Sequence, residues 1–398
     1  MKKKSKHQEK LDRIRVRVVN VVGFLMGFSQ SVLAYTVSTY FKESSGTENV
    51  GIFYFVSFAA VLFILLNLYK LTQKTGSVFV FFFSMVANIS FVAALIVLPK
   101  SFFGIAAMIL YLISVSITWA SLDVILESFS VDKMSGRIRG LYLTVFNAGY
   151  VLGPLLASKI FIQFDFDGIF FISLVFSMII LLFAIFGMRR AGNAVFPKKR
   201  QSIRSLVLEV FRRKNIFRIY YISFVLDFFY ALMVVYAPIY LLDLGFSWNQ
   251  LGIAFTIMLV PFVLVQYPAG ILADKKIGEK EMIILAILTI GISSFLFFIN
   301  TSKDIFVWAV ILFATRVGAA LVEILRDSYF YKQVDYRRAD VIDFFRTAQP
   351  VAYIAAAIVS TVILWAFSLK YVFLFLTLVI FSALLPALRL TDSQVEES

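Results

Sequence analysis

The sequence has no cysteine, and its only histidine among 398 residues is His7. The first absence excludes a disulfide framework, a thiolate zinc cluster and a thiol nucleophile. The second leaves no imidazole outside a basic N-terminal tail. Charge is scarce as well, with Asp, Glu, Lys and Arg making up 16% of the chain. That is too little to cover the surface of a soluble protein of this length. No G-x-x-x-x-G-K-[ST] loop occurs, which argues against ATP drive within the chain. The apolar segments lack the period-two alternation of a membrane barrel. Nothing in the sequence calls for a cofactor or a metal.

Apolar residues are abundant: they form 61% of the chain, and 45 residues are Phe. They gather in runs of about 20, the length that crosses a ~30 Å hydrocarbon core as helix. Lipid offers no partner for backbone polar groups, so the spans are expected to be helical. Twelve are expected, over 17–40, 51–69, 77–98, 102–129, 140–161, 168–188, 216–241, 249–272, 281–300, 305–330, 340–368 and 371–388. The fold class is therefore all-α integral membrane.

The net charge of +14 does not point to nucleic acid, because the basic residues cluster at the mouths of the spans. Most lie on the side of the two termini, while the six opposite connections hold only Lys42, Lys100, Lys303 and Lys370. The positive-inside bias then places both termini in the cytoplasm, in the cell (inner or plasma) membrane. The basic start, MKKKSKHQEKLDRIR, reads as a retained cytoplasmic end rather than a cleaved signal.

The expected organisation is a tail over 1–16, a six-helix bundle over 17–188, a linker over 189–214, a second bundle over 215–388 and a tail over 389–398. In the linker, PKKR at 197–200 precedes Ile203, Leu206, Val207, Val210 and Phe211 at helical spacing, the pattern of a short amphipathic helix on the membrane surface.

The two halves repeat at an offset of 200. Ser116, Ala120, Asp123 and Glu127 align with Arg316, Ala320, Glu323 and Asp327, and Arg137 aligns with Arg337. In each half the four positions fall at i, i+4, i+7 and i+11, a single helical stripe. Pseudo-symmetric halves of this kind are common in secondary transporters, whose sites lie at the repeat interface near the midplane.

Two local motifs extend the pattern. After span eight stands Gly270-Ile271-Leu272-Ala273-Asp274-Lys275-Lys276-Ile277-Gly278-Glu279-Lys280. Span five carries Gly149-Tyr150-Val151-Leu152-Gly153-Pro154-Leu155-Leu156-Ala157, with small residues four apart that permit close helix packing. Together with the twelve spans, the basic central loop and the duplication, these resemble the major facilitator superfamily over nearly the whole chain. The first motif is similar to that family's glycine–aspartate–basic–glycine–basic loop, with one extra residue between Lys275 and Gly278. The counterpart after span two, Gln73-Lys74-Thr75-Gly76, has Gln where the family has aspartate. The second motif is similar to the glycine–proline motif commonest in the family's exporters. The resemblance implies two six-helix bundles that rock about a central cavity lined by spans seven and ten.

Charges inside the spans are the candidate functional residues, since each costs at least ~2.5–3.5 kcal/mol at mid-depth. Asp123, Glu127, Arg137 and Arg139 in one half, with Glu323, Arg326, Asp327, Arg337, Asp343 and Arg346 in the other, read as ion pairs closing the cytoplasmic ends. Proton carriage by Asp123 or Glu323 is an alternative. Asp227 and Arg316 are different: each lies about 11 residues into its span, roughly 16 Å deep, and neither has a charged counterpart in the first half. Arg316 suits an anionic or carbonyl group of a substrate, with Asp227 as its resting partner, and Asp227 suits a proton carrier. A static Asp227–Arg316 pair, or no meeting of the two, are the other arrangements. Gln30, Tyr35, Trp119, Asn147, Tyr230, Gln266, Gln349 and Tyr353 lie at similar depth and are candidate cavity residues.

The expected function is secondary active transport of a small molecule by a monomer in the lipid bilayer, coupled to protons and directed to export of an amphipathic compound. Uptake of a small organic anion held at Arg316 is the second reading. A membrane lipid-handling enzyme or a non-transporting scaffold is the reading from another class.

Overall fold

A computed structural model describes residues 6–129, 135–188, 203–273, 278–334 and 339–391. These form helices α1 (Lys6–Ala34), α2 (Val37–Ser45), α3 (Gly51–Thr75), α4 (Ser77–Val97), α5 (Phe102–Phe129), α6 (Ser135–Met188), α7 (Ile203–Arg212) and α8 (Lys214–Asp243). There follow α9 (Trp248–Leu264), α10 (Gln266–Leu272), α11 (Glu279–Ile299), α12 (Ile305–Gln333), α13 (Ala339–Arg346), α14 (Ala348–Ala366), α15 (Lys370–Ser382) and α16 (Leu384–Leu388). No strand occurs among the described residues.

Among the described residues, eleven stretches are long and apolar enough to cross a membrane. One of them, Leu141–Phe186, holds 46 residues. That is about 69 Å of helix, more than twice the hydrocarbon core. It is broken at Asp165, whose φ of 53° and ψ of −152° are not helical. It therefore amounts to two spans, and the count is the expected twelve. Large apolar side chains point outward, with Phe186 at 81% and Trp365 at 91% exposure. Such a surface suits lipid and not water.

Three helix breaks share one cause. Pro268, Pro350 and Pro386 each stand four residues after the last residue of a helix, namely Leu264, Arg346 and Ser382. Proline has no N–H to give the carbonyl at i−4, and its ring crowds that carbonyl. Continuous hydropathy hides these breaks, so α9–α10, α13–α14 and α15–α16 each read as a single span in the sequence. The break at Tyr35–Thr36 between α1 and α2 has no such proline.

By packing, the chain forms two compact units, Met1–Ala34 with Phe63–Pro197 and Tyr35–Leu62 with Lys198–Ser398. In the first, α1 lies close against α6. A Cβ at Gly149 would fall 2.2 Å from the carbonyl oxygen of Phe24, and one at Gly153 would fall 1.7 Å from Ser31 Oγ. Only the missing side chains allow that approach, which is how small residues four apart work in lipid. The core beneath includes Val19, Val22, Met26, Phe81, Met85, Leu122, Tyr142 and Phe146. Thr118 Oγ1 donates to Ser84 Oγ at 3.0 Å and ties α5 to α4. Beside the break in α6, the Asp165 carboxylate meets Lys100 at 3.1 Å.

In the second unit α8 is buried along most of its length, with Ile219, Phe229 and Leu241 fully enclosed. Trp308 of α12 is also fully buried. Its ring meets Phe297 edge-on at 4.9 Å, and its Nε1 donates to the Ser302 carbonyl at 2.9 Å. At Gly318 an added Cβ would sit 2.7 Å from the Ala286 carbonyl oxygen, so α12 runs close along α11. Residues 35–62 join this unit through several contacts. Lys42 pairs with Asp243 at 2.7 Å, Thr361 donates to Asn49 at 3.0 Å, and Phe58 stacks on Tyr353 at 4.0 Å.

Candidate functional site

α8 and α12 run antiparallel and meet through charged and aromatic side chains. Asp227 Oδ2 lies 3.3 Å from Arg326 Nη1, and both side chains are buried, with 8% and 13% exposure. The same Nη1 donates to Ser223 Oγ at 2.6 Å and to the Ser223 carbonyl at 3.3 Å. On the other side Arg326 Nε faces Asp327 Oδ1 at 3.6 Å. One arginine thus serves two carboxylates, and pairing of this kind makes buried charge tolerable.

One turn further along α8, the Tyr230 hydroxyl donates to Glu323 Oε2 at 3.2 Å. Gln266, the first residue of α10, donates its Nε2 to the same oxygen at 3.2 Å. The helix break before α10 places Gln266, now 4% exposed, against α12.

Arg316 is in a different position. It is 2% exposed, and its Nη1 is buried with no hydrogen-bond partner. No carboxylate lies within ion-pair distance of it among the described residues. The guanidinium lies over aromatic rings instead, 4.9 Å from the Phe229 centroid and 5.6 Å from that of Tyr230. The Tyr35 hydroxyl is within hydrogen-bonding reach of the guanidinium, and that of Tyr353 within its electrostatic reach, while Nη1 itself stays without a partner. Tyr35 packs on Phe255 at 4.8 Å. Cation–π contact contributes about 0.5–2 kcal/mol, whereas burying an unpaired ion costs several kcal/mol. The aromatic cradle does not offset the cost of holding this cation without an anion.

Asp227 and Arg316 are therefore not partners: Asp227 is engaged by Arg326, ten residues further along α12. Counting residues from the span ends set Asp227 and Arg316 at one depth. A shift of three residues in register moves a side chain by ~4.5 Å, enough to change its partner.

The remaining candidates fall in both units. In the first, Trp119 Nε1 donates to Gln30 Oε1, and the Trp119 ring packs on Phe146 at 4.3 Å. Asn147 is half-buried on α6, as is Asp123 on α5. In the second, Tyr353 is half-buried and Gln349 is exposed on α14. Arg346 closes α13. The side chains of Glu127, Arg137, Arg139 and Asp343, and the residues Asp274, Lys275 and Arg337, lie outside the described residues. Of the two family motifs, Gly153, Pro154 and Ala157 are buried in the first unit. Gly278, with φ of 83°, caps the start of α11 ahead of Glu279 and Lys280, and a Cβ added at Gly270 would sit 3.8 Å from Ile324, an ordinary van der Waals contact.

Two features escaped the sequence reading. Phe229 is one of many phenylalanines, and only its place one residue before Tyr230 connects it to the site. Glu279 is buried at 1% exposure, where Lys332 pairs with it at 2.5 Å and Ser328 donates to it at 3.0 Å. The signal for Glu279 was its position within the loop motif.

A bundle of apolar spans with buried charges at mid-span is a layout common among helical membrane transporters. The family comparison fits: the Major Facilitator Superfamily model matches residues 19–252 and 228–398. The chain belongs to the major facilitator superfamily. No curated protein matches the sequence. Solved structures share the fold, two transporters among them. The human organic anion transporter MFSD10 (TETRAN) has a TM-score of 0.68 and 14% identity, over 94% of this chain and 99% of its own. The nucleoside transporter NupG, a single-site mutant, has a TM-score of 0.71 and 13% identity, over 95% and 100%. At these identities the likeness is one of fold.

Proposed function

We propose that this protein is a secondary active transporter of a small amphipathic organic anion, with Arg316 holding the anionic group and Phe229 and Tyr230 flanking the apolar part. The observation that carries this reading is the buried Arg316 guanidinium, which has a donor without a partner and no counter-ion. A carboxylate, sulfonate or phosphate would supply both charge and acceptor, in charge-assisted bonds of about 1.5–3 kcal/mol each. A neutral sugar would meet too few polar groups here. The human organic anion transporter of the same fold is an example of such cargo.

The transporter works as a monomer in the cell membrane by alternating access, with both termini cytoplasmic and with protons as the coupling ion. Of the two transport readings, uptake of an anion at Arg316 has the stronger geometric support. The glycine–proline motif that favoured export packs α6 on α1, a role independent of direction.

The test is a thermal-shift and binding screen of purified protein against aromatic carboxylates and sulfonates, with neutral and cationic analogues as controls. Anions are expected to bind the wild type. Arg316→Ala should abolish that binding and Arg316→Lys weaken it. Equal anion affinity in Arg316→Ala, or wild-type binding confined to neutral or cationic compounds, would refute the assignment.

A further inference from the structure

We infer that Glu323 is the proton-binding group of this transporter, and that Tyr230 links its protonation to occupancy of Arg316. The inference rests on the anion reading above.

Three carboxylates surround one arginine. Asp227 and Asp327 hold Arg326 at 3.3 and 3.6 Å. Glu323 has no cation within ion-pair distance among the described residues, only the neutral donors Tyr230 and Gln266. Of the three, it is the carboxylate whose negative charge is least compensated by direct contact. Among the described residues, the charged and titratable groups near it are Asp227 and Tyr230 of α8 and Arg326 and Asp327 of α12, with the neutral amide of Gln266 from α10 beside them. α9 has no charged residue, and α11 supplies Glu279, which is held by Lys332 and Ser328.

The hydrogen bonds also leave room for the proton. Both donors reach Oε2. Oε1 has no hydrogen-bond partner among the described residues. A proton from water can bond to Oε1, neutralise the carboxylate and leave Oε2 as a carbonyl acceptor. It returns to water when the site opens to the other side.

Tyr230 touches both sites. Its ring lies 5.6 Å from the Arg316 guanidinium, and its hydroxyl donates to Glu323. A tyrosine hydroxyl has a single proton to donate. An anion on Arg316 that draws this donor withdraws a bond from the charged form of Glu323 and so favours protonation. By reciprocity, a proton on Glu323 releases Tyr230 to the anion. The two ligands reinforce each other and travel in the same direction, so an inward proton gradient drives uptake.

The experiment uses full-length protein in vesicles, with 2-naphthalenesulfonate as probe because it stays ionised over the whole pH range. Wild-type affinity should rise at least about fivefold from about pH 8 to about pH 5.5. Tyr230→Phe keeps the ring and removes the donor, and Glu323→Gln keeps the shape and removes the proton site. Both should flatten the profile to less than about twofold. Glu323→Gln should still exchange the probe across the membrane but lose its proton-driven accumulation. A wild-type pH slope in either variant, or proton-driven accumulation in Glu323→Gln, overturns the inference while the anion site stands. A second arm needs no anion. In acid-minus-neutral infrared difference spectra, a protonated-carboxyl band should be present in wild type and in Arg316→Ala and be missing from Glu323→Gln. Its persistence at full strength in Glu323→Gln overturns the proton assignment. Failure of the wild type to bind any aromatic anion overturns the anion reading and the coupling, and the infrared arm then decides Glu323 by itself.

Discussion

Removal of Arg326 should be the most damaging single charge change in the second unit. Arg326→Ala takes from Asp227 its only cation within ion-pair distance among the described residues, at 3.3 Å, removes the 3.6 Å contact to Asp327, and leaves Ser223 without its donor. Both partners in the Asp227 contact are buried, with 13% and 8% side-chain exposure. Solvent therefore screens little of the loss. Breaking a buried pair from one side costs about 3–5 kcal/mol. For a unit of this size, ~2–4 °C per kcal/mol gives a fall of roughly 6–20 °C in melting temperature. Asp227→Asn should cost less, about 1–3 kcal/mol, because Arg326 keeps Asp327 and Ser223. Combining Asp227→Asn with Arg326→Gln should be milder than Arg326→Ala, since neutral amides replace the unpaired charges. The assay is thermal unfolding in detergent followed by tryptophan fluorescence. Melting of Arg326→Ala within about 2 °C of wild type, or a larger fall in Asp227→Asn than in Arg326→Ala, would refute the reasoning.

Three further outcomes are expected. Lys332→Ala removes the 2.5 Å ion pair of the Glu279 carboxylate, which is 1% exposed, and should cost about 1–3 kcal/mol in the same melt; Glu279→Gln should cost less, because its amide can still accept from Ser328. Lys42→Ala removes a pair whose side chains are 28% and 39% exposed, and should change stability by less than ~1 kcal/mol, leaving the melt almost unchanged. Gly153→Leu drives a side chain into Ser31, where even the Cβ has only 1.7 Å, and should reduce the yield of folded protein sharply in size-exclusion chromatography. Adding Ser31→Gly should recover part of that yield, and no difference between the single and double variants would show that the contact is not the cause.

The spans were legible because lipid imposes a coarse requirement: about twenty apolar residues, helically folded. The close approach of α6 to α1 was legible for a related reason, since Gly149 and Gly153 leave a mark in sequence. Partner choice was not legible. Whether Asp227 meets Arg316 or Arg326 depends on helix register, to which hydropathy is blind. The cradle around Arg316 was half visible, because Tyr230 carries a polar tip while Phe229 resembles its apolar neighbours. The proline breaks went unread although each proline was in plain view, because the apolar run continues across them.

Those breaks divide the second unit mechanically. At Leu264, Arg346 and Ser382 the proline four residues on has already removed a donor from the backbone ladder. Tilting the shorter segment at such a point costs no bond at that carbonyl, so α10, α13 and α16 can pivot more cheaply on their neighbours than an unbroken helix can bend. α11 and α12 contain no proline and are stiff over their whole length. The side chains of Arg316, Glu323 and Arg326 are thus mounted on a rod, and Gln266, one residue past a joint, can swing away from Glu323 without moving it.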